Sequence, residues 1–401
     1  MKIKDIAVRE IFDSRGNPTV EVELITKNGK HRASVPAGKS RGKNEAFVLA
    51  PAAVIRRALP VARRALRGKS FLSLSAFDWA LRKLDGTKKK SRLGGNFMLG
   101  LSLAAARALA AERGEETWAA LRREFFPGVG QKKTAPMIFS NLINGGAHAS
   151  NGLDVQEYMA VVRPERGMNE AIKKLIGLYE VLGKTLKKGP GVLPIGDEAG
   201  YATHFANNFA PIALLGKLIR KQKLSGNFRI ALDVAATSFR RGAGYRFDGK
   251  NVSADKLGSI YHGWLKREPF VLSIEDPFAE TDLAGFRNFS GPKNAKKCTA
   301  LVVGDDLTTT NPKFIEKYGR DGLITGVIIK PNQIGTVSEA CAAISAARKN
   351  KMFVIVSHRS GETEDAFLVE LARAANADAV KIGAPARERM VKFNELIRLY
   401  A

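Results

Sequence analysis

The chain has 401 residues, of which 45% are hydrophobic and 26% are charged, proportions that are ordinary for a globular protein with one large barrel or two domains. No apolar stretch reaches the roughly 18 residues of a membrane span, MKIKDIAVRE lacks a signal core, and two cysteines are too few for a disulfide framework, so we expect a cytoplasmic protein. Lysine and arginine total 65 against 39 acidic residues, and a net charge of +26 keeps a polyanion partner open.

The amino-terminal third predicts strands followed by helices. The segments VREIF, TVEVELIT and HRASVPAG read as strands, with a turn at Asn28–Gly29 between the second and third. Residues 52–124 are helical in pattern and rich in Ala, Leu and Arg. Within them, IRRALPVARRAL places arginines on the exposed side of a helix that Pro60 interrupts, which favours a solvated basic face over a dedicated polyanion site. We predict an α+β domain over residues 1–130 and a linker at 128–135.

The rest of the chain repeats a different unit, an apolar run that closes on charged residues. Because the intervals between these runs suit a strand plus a return helix, such as 337–350, they predict a (β/α)₈ barrel over residues 135–401. GLDVQEYMAVV and GVLPIGDEAG are expected to add further strands. The active site of such a barrel lies at the carboxyl ends of its strands. The closing residues are Asp233, Glu275 with Asp276, Asp305 with Asp306, Lys330, His358 with Arg359, and Lys381.

Three of these endings supply carboxylates, from Asp233, Glu275 and Asp305. Acids brought together repel one another unless a cation joins them, and hard oxygen ligands suit Mg²⁺. The alternative for any one of them is a helix cap or a salt bridge. Lys330 and Lys381 point to the same ring, where a lysine beside other cations has a lowered pKa and can act as a base, or else forms ion pairs with the acids.

Another segment of the ring, VSHRSGETED, brings His358, Arg359 and Ser360 together, and arginine with serine suits a phosphate or carboxylate clamp.

Eight phrases in order resemble the enolase family, and they extend over nearly the whole chain. The phrases are REIFDSRGNPTVEVEL, NLINGGAHASNGLDVQEYM, IGDEAG, SIEDPFAETD, VGDDLTTTNPKFI, KPNQIGTVSEA, SHRSGETED and KIGAPAR. The resemblance implies an α/β protein, in which a smaller α+β cap domain precedes an enolase-type (β/α)₈ barrel whose opening strands depart from regular alternation. It also implies a Mg²⁺-dependent hydro-lyase that reversibly dehydrates 2-phosphoglycerate to phosphoenolpyruvate in glycolysis and gluconeogenesis.

The resemblance also assigns roles residue by residue, and two Mg²⁺ ions per site. Lys330 would be the base at C2, and Glu198 the acid for the departing hydroxyl, with Glu157 beside it. His148 would lie on a loop that closes over the substrate. The first Mg²⁺ would be held by Asp233, Glu275 and Asp305, and the second with the help of Ser40. The substrate-binding set would be His148, Glu157, Lys330, His358, Arg359, Ser360 and Lys381.

The chain departs from the family pattern at several positions near these residues. The loop that resembles PSGASTG reads PAGKSRG here, so that Lys39 and Arg41 flank Ser40. The stretch FVLAPAAVIRR after Glu45 is shorter than in the family and lacks its acidic continuation. GDEGG has become GDEAG at Ala199. The other changes are KPNQ for KVNQ, KIGAP for KTGAP, and an end at LIRLYA without an acidic tail.

Two alternatives belong to different classes of protein. One is a sister dehydratase or lactonising enzyme of the same superfamily, which would bring a Lys-x-Lys base and lack the GDE and SHRSGETED phrases. The other is a protein whose main role is to bind nucleic acid or another polyanion, which the retained catalytic set argues against. The resemblance further implies a homodimer through the cap domain, in which Arg9 and Glu388 match positions that pair across the interface.

Overall fold

The amino-terminal part is a three-stranded antiparallel sheet, in the order β1-β2-β3, packed against helices. The computed structural model describes residues 1–39, 42–130, 135–187, 189, 191–291 and 298–400. The predicted strands and helices are confirmed, except that the third strand ends two residues before Pro36, which has no N–H to donate to a ladder. The elements are β1 (Ile3–Phe12), β2 (Pro18–Thr26), β3 (Gly29–Ser34), α1 (Pro51–Ala53), α2 (Leu59–Leu66), α3 (Leu74–Asp85), α4 (Gly95–Glu112) and α5 (Thr117–Phe125).

The basic helix behaves as its spacing predicts. A π-helical turn over Val54–Ala58 joins α1 to α2, so Pro60 falls in the first turn of α2, where a missing N–H is tolerated. The arginines at positions 56, 57, 63 and 64 are exposed, while Ala58 and Ala62 are buried. None of the helices in the described part of the chain combines the length and the hydropathy of a bilayer-spanning segment.

The second part is a closed eight-stranded barrel in the order β10-β11-β12-β13-β14-β4-β5-β6, which confirms the predicted fold class. Its elements are β4 (Met137–Asn144), β5 (Glu157–Val162), α6 (Met168–Leu186), α7 (Ala210–Lys221), β6 (Phe228–Asp233), a small sheet of β7 (Arg240–Arg241), β8 (Gly244–Phe247) and β9 (Lys250–Val252), then α8 (Ala254–Arg267), β10 (Val271–Glu275), α9 (Leu283–Ser290), β11 (Leu301–Gly304), α10 (Pro312–Arg320), β12 (Gly326–Ile329), α11 (Pro331–Ile334), α12 (Val337–Lys349), β13 (Phe353–Ser357), α13 (Phe367–Ala375), β14 (Ala379–Ile382) and α14 (Met390–Tyr400).

One barrel strand runs against the others. β5 is antiparallel to both of its neighbours, β4 and β6, while the remaining barrel pairs are parallel. Its first residue therefore lies at the same mouth as the last residues of the parallel strands. The expectation of a further strand in GLDVQEYMAVV is confirmed by β5. The same expectation for GVLPIGDEAG is wrong, because residues 192–200 form a loop with only an isolated bridge between Ile195 and Tyr201.

The barrel interior is a small apolar cluster, separate from the larger layer between the strands and the surrounding helices. Side chains on a strand alternate between faces, so every other residue points inward and the neighbours pack outward against helices. The inward cluster closes the barrel beneath the mouth, which leaves the polar strand ends as the floor of a cavity. Its members are Phe139, Met159, Val161, Ala231, Val303, Ile328, Ile355 and Ala379.

The amino-terminal part caps a helix of the barrel. Asp78 of α3 is fully buried, and its Oδ2 accepts a hydrogen bond of 2.9 Å from the backbone N–H of Ser338 in the first turn of α12. Ser102 of α4 accepts the neighbouring N–H of Val337, also at 2.9 Å. The first N–H groups of a helix have no partner within that helix, so these two side chains satisfy them across the contact. Burial raises the pKa of Asp78 to about 7.

Replacing Asp78 by asparagine is expected to stabilise the protein at pH 8 relative to wild type and to change little at pH 4. The folded state holds the Asp78 proton more tightly than the unfolded chain, so this contribution is complete below pH 4 and is lost as pH rises through 7. With about 1.4 kcal/mol per pKa unit, the difference approaches at most roughly 4 kcal/mol. Thermal melting of both proteins from pH 4 to 8 measures it, with the exposed Asp321→Asn as control. A difference that does not vary with pH would contradict the assignment.

Candidate active site

Three acids from adjacent strands meet at the barrel mouth. In the strand register, Asp233 at the end of β6 lies opposite Glu275 at the end of β10. It also lies opposite Glu157, the first residue of the antiparallel β5. All three are buried, with side chains 5% exposed or less. Buried carboxylates need a cation or hydrogen-bond donors, so this row defines where positive charge is required.

Lys381 of β14 supplies positive charge to this row. Its Nζ lies 3.0 Å from Asp233 Oδ2, 2.8 Å from Glu275 Oε2 and 3.2 Å from Glu157 Oε2. Burial lowers the pKa of Lys381, but the surrounding carboxylates outweigh burial and hold it well above the ordinary lysine value. Burial and the charge of Asp233 raise the pKa of Glu275 well above its usual range. Lys381 is therefore a fixed cation at the mouth.

The second lysine of the ring pairs with the remaining predicted metal ligand. Lys330 follows β12 and its Nζ donates to Asp305 Oδ2, while Gln333 Nε2 donates to Asp305 Oδ1 at 2.9 Å. We expected a lowered pKa for Lys330. Burial does lower it, but the charge of Asp305 raises the pKa of Lys330 above the ordinary value. In this arrangement Lys330 is protonated, and it can accept a proton only when the charge of Asp305 is engaged elsewhere.

A further acid organises the end of β11. Asp276 accepts hydrogen bonds from the backbone N–H groups of Asp305, at 3.1 Å, and Asp306, at 2.7 Å. Oxygens of these three acids all lie within 4.8 Å of one another. Burial and the charges of Asp306 and Asp305 raise the pKa of Asp276 well above its usual range. Asp276 thus fixes the turn that presents Asp305 to the mouth.

On the opposite side, two carboxyl groups meet a histidine. His148 Nδ1 lies 3.8 Å from Glu198 Oε1 and 3.9 Å from Glu157 Oε1. Asn141 Nδ2 donates to Glu198 Oε2 at 3.1 Å. His358 Nε2 lies 3.6 Å from the same oxygen. The predicted acid pair and its histidines are therefore brought together, although they come from four different segments.

The two carboxyl groups titrate as a coupled pair. Burial and the charge of Glu198 raise the pKa of Glu157 well above its usual range. Burial also raises the pKa of Glu198, but His358 and His148 outweigh it and hold the pKa well below the ordinary value. Burial lowers the pKa of His358 to about 4. The opposite shifts of the two carboxyl groups place the proton of the pair on Glu157 and leave Glu198 ionised.

The predicted phosphate clamp sits where the amino-terminal part meets the barrel. Arg359 is buried, and its Nη1 lies 3.2 Å from Glu45 Oε2. Ser360 Oγ accepts the backbone N–H of Lys39 at 2.9 Å and an Nη1–H of Arg15 at 3.4 Å. Ser40, predicted to assist a second Mg²⁺, lies outside the described residues. Of the other predicted site residues, Asp233, Asp305, Glu157, Glu198, His148, His358, Arg359, Ser360, Lys330 and Lys381 line one cavity.

The donor set fits a divalent cation. Asp233, Glu275 and Asp305 offer only carboxylate oxygens, the ligands that Mg²⁺ prefers. Their negative charge is balanced in the structure by Lys381 and Lys330, which shows that the site is built around cationic charge. Among the described residues, two groups have ligand atoms within 4.8 Å of one another, His148–Glu157–Glu198 and Asp276–Asp305–Asp306, and Asp305 is the member of the predicted metal set that belongs to one of them.

Sequence reasoning gave no site role to three residues that line the cavity. Glu45 belongs to the amino-terminal part, and no local pattern indicates that it reaches the barrel mouth. Gln333 stands in the quoted phrase KPNQ, three positions after Lys330, which was the available signal. Asp276 was seen as a strand ending, but its backbone φ of 41° and its two amide contacts follow only from the fold.

Comparison with known proteins gives full-length matches. The family description "Enolase, N-terminal domain" matches residues 3–121, and "Enolase, C-terminal TIM barrel domain" matches residues 132–401. The protein named Enolase 2 from Lactiplantibacillus plantarum is 37% identical over 414 residues, which cover 99% of this chain and 94% of that protein. Enolase from Anaplasma marginale is 38% identical over 416 residues, with the same coverage. The likeness therefore includes both the amino-terminal part and the barrel.

Proposed function

Because the chain belongs to the enolase family, we infer that it is a phosphopyruvate hydratase, a hydro-lyase that interconverts 2-phosphoglycerate and phosphoenolpyruvate. The observation that carries this inference is the convergence of Lys330 and Glu198 on one buried cavity. Removing a proton from C2 and the hydroxyl from C3 needs a base and an acid on the same substrate, and these two groups reach it from different segments of the barrel.

The base is Lys330, which takes the C2 proton. That proton is weakly acidic because it neighbours a carboxylate, and its removal places a second negative charge on the substrate. Lys381, fixed by the acids of the mouth, supports that charge electrostatically.

Glu198 is the acid for the departing C3 hydroxyl, and because it is ionised in this structure, it must first receive a proton from a neighbour. Glu157, whose pKa is raised and whose oxygen lies within 4.8 Å of a Glu198 oxygen, holds such a proton. Glu157 and His148 stand within reach of it, and Asn141 orients its carboxyl group. His358 Nε2 lies 3.6 Å from the same carboxyl group.

Phosphate binding falls to Arg359 and Ser360, at the junction with the amino-terminal part. A guanidinium and a hydroxyl together offer hydrogen-bond donors in fixed directions to the oxygens of a phosphate group. The Arg359 guanidinium is held by Glu45 and also donates to Asn332 Oδ1 at 3.2 Å. These contacts orient the clamp before substrate arrives.

The family is Mg²⁺-dependent, and we propose two ions per site, the first held by Asp233, Glu275 and Asp305 and the second with the help of Ser40. Bound there, the ions would supply positive charge that stabilises the doubly negative carboxylate formed when the substrate loses its C2 proton. Engaging Asp305 in this way would also remove the contact that keeps Lys330 protonated. A role for Lys330 as base thus depends on what occupies Asp305.

Formation of phosphoenolpyruvate tests the reaction directly. The absorbance of the product should rise when 2-phosphoglycerate and Mg²⁺ are added, stop in excess chelator, and return when Mg²⁺ is restored. Equal turnover in chelator would contradict the metal requirement. Absence of product, with turnover of an acid sugar or a muconate instead, would favour the sister enzymes.

We also propose two domains, over residues 1–130 and 135–401, which the separate sheet and barrel support. A homodimer through the first domain and a cytoplasmic location remain proposals from the family resemblance. Arg9 and Glu388, the matched interface positions, are partly exposed. Nucleic-acid binding is the less favoured proposal, because the arginines on α1–α2 lie on an ordinary solvated face.

A further inference from the structure

A loop of the amino-terminal domain is docked on the barrel beside the active site. Ala37 and Gly361 exchange two backbone hydrogen bonds, of 2.8 and 2.9 Å. Lys39 N–H donates to Ser360 Oγ. A Cβ at Gly38 would lie 1.7 Å from Arg359 Nη2, so the backbone approaches the guanidinium as closely as only glycine permits. The loop therefore rests directly against the phosphate clamp.

The side chain of Lys39 extends this docking to a second loop of the barrel. Its Nζ lies 2.9 Å from Asp197 Oδ2, and Asp197 immediately precedes the acid Glu198. Lys39 and Asp197 are 43% and 25% exposed, so the pair lies at the rim and not in the core. The contact joins the docked loop to the loop that carries Glu198.

The Asp197 loop is held at the same time from below. Arg389, fully buried, donates from Nη2 to the carbonyl oxygens of Asp197, at 3.2 Å, and Ser360, at 2.6 Å. Arg389 thus fixes the two barrel loops relative to each other. Lys39 of the docked loop contacts both of these barrel loops, through its N–H to Ser360 Oγ and through its Nζ to the carboxylate of Asp197.

We propose that Lys39 is a positioning residue that couples the docked loop of the amino-terminal domain to the loop of Glu198 through its ion pair with Asp197. The alanine that the family phrase has at this position cannot form the pair, so the coupling is a property of this chain. The proposal rests on the proposed function for its effect on turnover, but the coupling itself can be tested without the reaction.

Amide hydrogen exchange tests the coupling without any reaction. Lys39→Met is expected to speed exchange in peptides covering residues 30–39 and also in those covering 193–201, by about two- to fivefold, because an exposed ion pair is a modest contribution. Asp197→Asn should do the same, and the double variant should add nothing further. Lys39→Arg should restore wild-type exchange. Lys43→Met, an exposed lysine of the same loop region, is the matched control and should change neither peptide.

Turnover gives the second measurement. Lys39→Met should lower kcat/KM for 2-phosphoglycerate by a similar factor, and Lys39→Arg should recover it. Exchange in 193–201 that is unchanged in Lys39→Met would overturn the coupling, as would an additive effect in the double variant. A wild-type protein that shows the coupled exchange but forms no phosphoenolpyruvate would instead overturn the proposed function and leave the coupling standing.

Discussion

Lys330→Ala is expected to slow the exchange of the C2 proton of 2-phosphoglycerate with solvent deuterium by about 10²- to 10⁴-fold. Of the other described lysines that line the cavity, Lys381 is held by three acids and Lys39 pairs with Asp197 at the rim, so neither is placed to replace Lys330 as the base. Deuterium incorporation into 2-phosphoglycerate, followed by mass spectrometry, measures this step alone. The exposed Lys313→Ala is the matched control.

Glu198→Gln separates the two ends of the reaction. Glutamine keeps the shape of the side chain but cannot give a proton to the C3 hydroxyl, so product formation should fall by a similar factor while C2 exchange stays measurable. Exchange at the wild-type rate in Lys330→Ala would show that the base is misassigned. In that case Pro331, which replaces valine of the family phrase directly after the lysine, is the first place to look for a shifted backbone.

Asp305→Asn is expected to abolish Mg²⁺-dependent activity without unfolding the protein. Loss even of residues that orient metal ligands typically costs about 10- to 100-fold, so loss of a ligand should cost at least about 100-fold in metal affinity. Calorimetric titration with Mg²⁺ measures the affinity, and circular dichroism checks the fold. Asparagine is chosen because it keeps a hydrogen-bond acceptor for Lys330, which would otherwise be buried without its partner.

The neighbouring Asp306→Asn distinguishes the two carboxylate groups that share Asp305. If the metal is held by Asp233, Glu275 and Asp305, the Asp306 variant should retain most of its affinity. An equal loss in both variants would point to the Asp276–Asp305–Asp306 group as the binding site.

Six of the barrel strands, β6 and β10 to β14, could be predicted because each is an apolar run with a polar ending, whereas β4 was not predicted. Asp233, Glu275 and Asp305 were placed at the mouth for that reason alone. Glu157 could not be found in this way, since it begins its strand, and only the reversed direction of β5 brings it to the same mouth. The same reasoning wrongly predicted a strand over residues 192–200, whose apolar residues lie in a loop that does not pair as a strand of the sheet.

The charge balance of the site could not be predicted from the sequence. The pattern of apolar runs places Lys330 and Lys381 at the barrel mouth, but whether a lysine there is a base or a counterion depends on which acids it contacts. Lys330 touches Asp305, and this contact reverses the expected direction of its pKa shift.

Ala199 shows a second limit of prediction from sequence, which concerns the backbone. Its φ of 62° lies in the left-handed region that favours glycine, and the family phrase has glycine there, but the strain is visible only in the folded loop.

The pair of Glu45 and Arg359 joins residues 314 positions apart in the chain. At a synthesis rate of about 5–20 residues per second, roughly 15 to 60 s pass after Glu45 is made before Arg359 exists. Throughout that interval the amino-terminal domain carries, at its future contact surface, an acid without its eventual counterion. The proposed phosphate clamp is therefore among the last features of the nascent protein to form, after the closing strands of the barrel have been made.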